Sequence, residues 1–283
     1  MSEWVWMPLF YKFGSNEPIY LRGERYDGKT REVTIKLLPR ASARISLGEQ
    51  LAQEVNVNGY ASHVLQLQCK TETGEALASQ MFFDEQGIRI VPPAMATHLP
   101  GHFVFARGLL PLEEDAKLFG EVEIEKTPYE FVEILQIIEP RLTRLSTIIG
   151  AGGAMLWGDV GLGRMLPLAL MGEGVERLAS ILLRLANARH GFVLIDEIEN
   201  GWHHSVMPKV WAAIAAAARR FEVQVFATTH SWECIRAAHE AFAGNGVYDF
   251  RLFRLDRVDE NVKAAVYDEE TLATSLDLNF EVR

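Results

Sequence analysis

The run GFVLIDE, residues 191–197, constrains the fold more than any other stretch of the chain. Four apolar residues close on two carboxylates, without the polar alternation of a strand that has one wet face. That is the pattern of a parallel strand buried on both faces. Its flanks are helical. GEGVERLASILLRLANA places Val175, Leu178, Ala179, Leu182, Leu183 and Ala186 on one side of a helix. Downstream, Pro208 fits a first helical turn, with Val206, Val210, Ile214 and Phe221 along one face. A strand in EVQVFATTH, a helix from about Ser231 and a strand in VYDFRLFRL follow. The right-handed crossover rule then predicts three strands lying parallel in one sheet.

The first hundred residues have a different rhythm. After Thr30, Val33, Ile35 and Leu37 alternate with Glu32, Thr34 and Lys36, a period of two. HVLQLQCKTETGEALASQMFF repeats the theme around Thr73-Gly74, and GIRIVPP adds a short strand closed by Pro92 and Pro93. PLEEDAKLFG and TPYEFVEILQIIEP then read as helices. LSTIIG and AMLWGDV form a hairpin around Gly150 to Gly153. Boundaries are expected at 1–105 for an antiparallel β-rich lobe, 106–163 for a helical segment and hairpin, and 164–283 for an α/β core.

The string GERYDGKT, residues 23–30, fits G-x-x-x-x-G-K-[ST] and raises a nucleotide-binding loop at Gly23, Gly28, Lys29 and Thr30. A working loop of that kind needs a buried strand before it and a helix immediately after. Here the exit, REVTIKLLP, alternates like a strand and ends at a proline. Asp27-Gly28 instead suits a tight type I′ hairpin turn. A relocated, working phosphate loop stays open as a third reading of the chain.

In an open parallel sheet, ligands bind beyond the carboxyl ends of the strands. Asp196-Glu197 and His230 both fall at such ends in consecutive strands. An apolar strand followed by Asp-Glu is the Walker B pattern, in which Asp196 would hold Mg²⁺ and Glu197 would deprotonate a water. His230, in TTHS, would sense a γ-phosphate. LMGEGVERL adds a Gly-rich turn opening a helix, where free backbone N–H groups suit phosphate. Net charge of −10 argues against a chain-wide grip on nucleic acid. Two widely separated cysteines, Cys69 and Cys234, make a disulfide framework unlikely and fit a reducing compartment. The amino end lacks a basic leader, and no run of about 18 apolar residues exists, so a cytoplasmic location without a membrane span is expected.

Together LPLALMGEGVERL, FVLIDEIENGWHHSV and VQVFATTHSWECI resemble the signature, Walker B with D-loop, and switch-histidine segments of ABC/SMC-type ATPases. The resemblance is to the bacterial AAA-domain proteins related to OLD-family nucleases. It is dense over 164–240 and looser in WMPLFYKFGSNEPIYLRG and IIEPRLTRL. It implies a P-loop NTPase-type α/β fold with a parallel sheet, an N-terminal antiparallel β region and a helical insertion. It implies ATP and Mg²⁺, the metal at Asp196, a general base at Glu197 and a γ-phosphate switch at His230. Gly172, Glu173 and Gly174 would contact the nucleotide of a second subunit, with Asn200 and Gly201 in the D-loop across the same interface. A homodimer, or a partner chain bearing the P-loop, would complete each site. The signature serine of the family is not evident in LMGEG, and the family's P-loop would precede the segment resembling residues 1–20. The expected function is an ATP-driven dimer acting on an effector protein, in phage defence or nucleic-acid-linked work. The alternative is a catalytically silent regulatory subunit.

Other patterns are set aside. GAGGAM lacks the third glycine of a dinucleotide fingerprint and reads as a hairpin turn. His203, His204, His230 and Cys234 lack a second well-spaced pair for zinc. Trp4, Trp6, Phe10, Tyr11 and Phe13 read as core, His63 as a strand residue and Ser231 as a helix cap.

Overall fold

The computed structural model describes residues 17–24, 28–39, 63–70, 76–84, 87–91, 99–106, 112–125, 127–150, 153–244, 246–259 and 261–282. The aromatic cluster between Trp4 and Phe13, the Thr73-Gly74 turn and Pro92-Pro93 lie outside them. The chain divides into two compact units, Met1–Thr97 and His98–Arg283.

In the first unit, β1 (Ile19–Glu24), β2 (Thr30–Pro39), β3 (His63–Lys70), β4 (Ala76–Asp84) and β5 (Gly87–Val91) form one sheet in chain order. Every neighbouring pair is antiparallel. The period-two pattern of β2 has its physical outcome here: Leu37 and Leu65 are buried, with Ile19, Ile35, Leu67 and Met81 packed against them. His63 opens β3, as a strand residue.

The GERYDGKT string is part of this sheet. Gly23 pairs with Arg31 and Glu24 with Thr30, so the string ends one antiparallel strand and starts the next. No helix follows Lys29. The hairpin expectation holds, with Glu24 and Thr30 the last paired residues of the two strands; the turn type falls on residues outside those described. Gly28 sits at φ 79°, and Asp27 lies outside the described residues.

The second unit carries a three-stranded parallel sheet in the order β11 (Gln224–Ala227), β10 (Phe192–Ile195), β6 (Gly101–Val104). The expected parallel neighbours β10 and β11 are present. The third strand is a correction. VYDFRLFRL contributes β12 (Leu252–Val258), which pairs antiparallel with β13 (Asn261–Tyr267) in a separate two-stranded sheet. Its place in the parallel sheet is taken by β6, from GHFV, on the far side of β10.

Around the parallel sheet lie α1 (Leu112–Ile124), α2 (Pro128–Leu135), α3 (Glu173–Ala186), α4 (Met207–Phe221), α5 (Trp232–Ala243) and α6 (Glu269–Asp277). The hairpin β7 (Arg144–Gly150) with β8 (Gly153–Asp159) closes at Gly150 opposite Gly153, which disposes of the GAGGAM fingerprint; β9 (Leu166–Pro167) extends it. Ser231 caps α5, its side chain accepting from the Cys234 N–H at 3.1 Å.

The α3 helix is buried well beyond its predicted apolar face. Leu178, Ile181, Leu182, Leu183 and Leu185 are sealed, and so are Arg177, Ser180 and Arg184. Such burial of charge needs partners. The Arg184 Nη1 donates to Asp115 Oδ1 on α1 at 2.6 Å, and Nη2 donates to Glu114 Oε2 at 3.0 Å. Ser180 Oγ donates to the same Asp115 oxygen at 3.1 Å. Burial pushes the Asp115 carboxyl up, while the Arg184 guanidinium and the Ser180 hydroxyl pull it back. The network bolts α1 to α3, the helix that presents the Gly-rich turn.

Candidate functional site

The register of the parallel sheet decides where the chemistry sits. Val104 pairs with Ile195 and Ile195 with Ala227, so three strands end level. The ladder runs one step further: the Asp196 N–H donates to Val104 O and the Thr228 N–H to Ile195 O, both at 2.9 Å. Asp196 and Glu197 therefore leave the sheet beside Thr228, and His230 follows two residues later.

Thr228 joins the two ends directly. Its hydroxyl donates to Asp196 Oδ1 at 2.6 Å and accepts from the Glu197 N–H at 2.9 Å. Asn200 Nδ2 donates to Glu197 Oε2 at 2.8 Å and to the Ala106 carbonyl, beyond β6, at 3.1 Å. Glu197 itself sits at φ 44°, a left-handed conformation that a residue with a Cβ holds only when its surroundings impose it. The imposing contacts come from Arg177, a residue that is 4% exposed. Its Nη2 donates to the carbonyls of Asp196 at 2.9 Å and Glu197 at 3.0 Å, and its Nη1 to Phe105 O at 3.1 Å. Burial lowers the Arg177 pKa, against the pull of Glu173, Glu199, Glu197 and Asp196.

The Gly-rich turn packs onto the turn after β10. Gly172, the residue before α3, has φ 114°, open to glycine and strained for any L side chain. Gly174 is required for a different reason, close approach. A Cβ there would lie 2.8 Å from Trp202 Cδ1 and 3.0 Å from the Gly201 carbonyl. Trp202 Nε1 donates to Gly174 O at 3.0 Å, and the Arg177 guanidinium lies 5.8 Å from the Trp202 ring. Gly174→Ala is expected to destabilise the protein by about 1–3 kcal/mol through overpacking, read as a lower urea midpoint. An unchanged midpoint would show that Trp202 moves aside freely.

Of the residues singled out in the sequence, Asp196, Glu197 and Asn200 come together through direct bonds. Gly174 and Gly201 meet at the Trp202 contact. Gly172 and Glu173 are exposed at the start of α3, and His230 is exposed with its backbone N–H donating to Glu199 Oε1 at 2.9 Å. The His203 and His204 rings lie tilted against each other with centroids 4.0 Å apart, away from any shared contact with His230 among the bonds of the described residues. Arg177, Glu199, Thr228 and Trp202 were not foreseen. One signal was available for Arg177: it interrupts the buried stripe of α3 between Val175 and Leu178.

An aspartate and a glutamate thus stand beyond the ends of parallel strands, beside the glycine turn that opens a buried helix, in a domain of AAA type. Residues 73–235, more than half of the chain, match the family described as "AAA domain, putative AbiEii toxin, Type IV TA system", and the chain belongs to that family. A relative, the uncharacterized protein MJECL11 of Methanocaldococcus jannaschii, is 30% identical over 102 residues, 36% of this chain and 89% of that protein. Among solved structures, the chain is similar to the Smc head domain with an extended coiled coil from Pyrococcus furiosus, bound to the C-terminal domain of ScpA. That match has 10% identity and a TM-score of 0.43, covering 90% of this chain and 82% of that one. For the SMC head domain of Thermotoga maritima the values are 11%, 0.37, 85% and 74%. No helix among the described residues is long and apolar enough to cross a membrane.

Proposed function

We propose that this chain is the catalytic part of an ABC/SMC-like ATPase that binds and hydrolyses Mg-ATP in a composite site between two subunits. The observation that supports it best is the Thr228 bridge. It holds Asp196 and Glu197 against the strand end that leads to His230, all beyond the carboxyl edge of a parallel sheet.

The donor set fits Mg²⁺. Thr228 takes up Asp196 Oδ1, and no bond among the described residues engages Oδ2, a hard oxygen suited to that cation. Bound at Asp196, the cation would offset the charge of the phosphates. Glu197 then serves as the base for water: Asn200 occupies Oε2, and Oε1 is the oxygen left to take the proton. His230 contacts the γ-phosphate side. Gly172, Glu173 and Gly174 meet the nucleotide of the second subunit, and Asn200 and Gly201 line the same interface.

The relation to OLD-family ATPases belongs to this reading, as do a homodimer or P-loop-bearing partner chain, an effector protein and a role in phage defence or nucleic-acid-linked work. These rest on the resemblance alone. A second reading has its own observation. The described ends of GERYDGKT pair as antiparallel strands, and on this reading the chain is a regulatory subunit that neither grips nor hydrolyses nucleotide unaided.

One experiment separates them. Mg-ATP turnover by the chain together with the partner that supplies its P-loop is expected to drop to background in Asp196→Asn and to stay unchanged in Lys29→Ala. Loss in Lys29→Ala instead would move the phosphate site to the hairpin. Neither turnover nor ATP binding by the unsubstituted chain would leave the regulatory reading standing.

A further inference from the structure

We infer that Glu199 is a positioning residue for His230, tying the loop after β11 to the turn after β10; this rests on the ATPase reading above. Glu199 is two residues beyond the proposed base. Its Oε1 accepts from the His230 N–H at 2.9 Å, across 31 residues of sequence. That bond fixes the backbone from which the exposed imidazole projects.

The other carboxylate oxygen turns inward. Glu199 Oε2 is sealed from solvent and has no hydrogen-bond partner among the described residues, and Arg177 Nε is in the same condition. Glu199 is among the groups that raise the Arg177 pKa, against the larger effect of burial. Arg177 meanwhile holds the Asp196 and Glu197 carbonyls and the ring of Trp202, which packs on Gly174. The Gly-rich turn is thereby coupled through Trp202 and Arg177 to the turn after β10, and Glu199 ties that turn to His230. The link from Glu199 to Arg177 is electrostatic, between side chains that each carry an atom sealed from water, where charge–charge interactions are less screened.

The variants separate geometry from charge. Glu199→Gln keeps an amide oxygen able to accept from the His230 N–H, whereas Glu199→Ala removes the acceptor. By NMR on the nucleotide-free chain, exchange of the His230 amide hydrogen is expected to speed up at least about 10-fold in Glu199→Ala and to stay close to the parent rate in Glu199→Gln. In turnover, Glu199→Ala is expected to lower kcat about 10-fold with the KM for Mg-ATP nearly unchanged, and Glu199→Gln to recover most of it. An unaltered His230 exchange rate in Glu199→Ala, or equal kcat in the two variants, would overturn the assignment. Absence of turnover in the unsubstituted chain, with the exchange pattern intact, would count against the ATPase reading while leaving the Glu199 tether in place.

Discussion

Replacing Glu197 with Gln is expected to lower Mg-ATP turnover by about two to four orders of magnitude, the range that a positioned general base supplies. Gln matches Glu in size and retains an oxygen that accepts from Asn200 Nδ2, so the 2.8 Å contact that orients the side chain survives. The carbonyl of residue 197 still accepts from Arg177, and its N–H still donates to Thr228. What disappears is the capacity to take a proton. ATP-dependent dimerisation is accordingly expected to persist or strengthen, since the closed state would no longer be discharged. The check is a steady-state turnover assay beside analytical ultracentrifugation with Mg-ATP. Unchanged turnover would remove Glu197 from the chemistry.

The second large effect concerns stability. Asp115→Ala is expected to cost about 3–5 kcal/mol, because it strands the guanidinium of Arg184 where water does not reach. Both side chains are nearly sealed, at 6% and 3% exposure. Glu114 still holds Nη2, but its own side chain is 47% exposed and screened, which sets the expectation toward the lower end. Replacing both partners, Asp115→Leu with Arg184→Met, is expected to restore most of the loss, since an apolar pair of similar volume leaves no charge behind. Urea unfolding of the three variants measures this. A double variant no better than Asp115→Ala would show that shape, rather than stranded charge, dominates the cost.

The sequence carried those parts of the architecture that rest on local pattern. An unbroken apolar run in β10, period-two alternation in β2 and a serine before α5 each reflect a constraint satisfied within a few residues. The strand β6 escaped because GHFV is four residues long and half of it, Gly101 and His102, is not apolar. The misplacement of β12 has a physical signature in hindsight. Phe253 and Leu255 alternate with Arg254 and Asp256, and Asp259 at φ 56° turns the chain back into β13. Alternation of that kind departs from the unbroken apolar run of β10, although in the ribbon Phe253 and Leu255 are the exposed members, at 55% and 70%.

For the candidate site, the residues at the strand ends were visible and the side chains that hold them were not. Asp196, Glu197 and His230 announce themselves by chemistry at a strand terminus. Arg177, Glu199 and Thr228 act across 19 to 32 residues of sequence, through bonds that exist only once β10, β11 and α3 are assembled. A buried arginine that ligates carbonyls leaves the same trace in one sequence as an arginine at the edge of a helix.

The fit of Gly174 against Trp202 carries an evolutionary consequence. Neither residue is free to drift alone: a side chain at 174 collides with the indole, and a smaller residue at 202 abandons both the Gly174 carbonyl and the face that Arg177 covers. Lineages descended from this chain should therefore exchange the two positions as a matched set, so that the pairing of a missing side chain with a large one outlasts the identity of either residue.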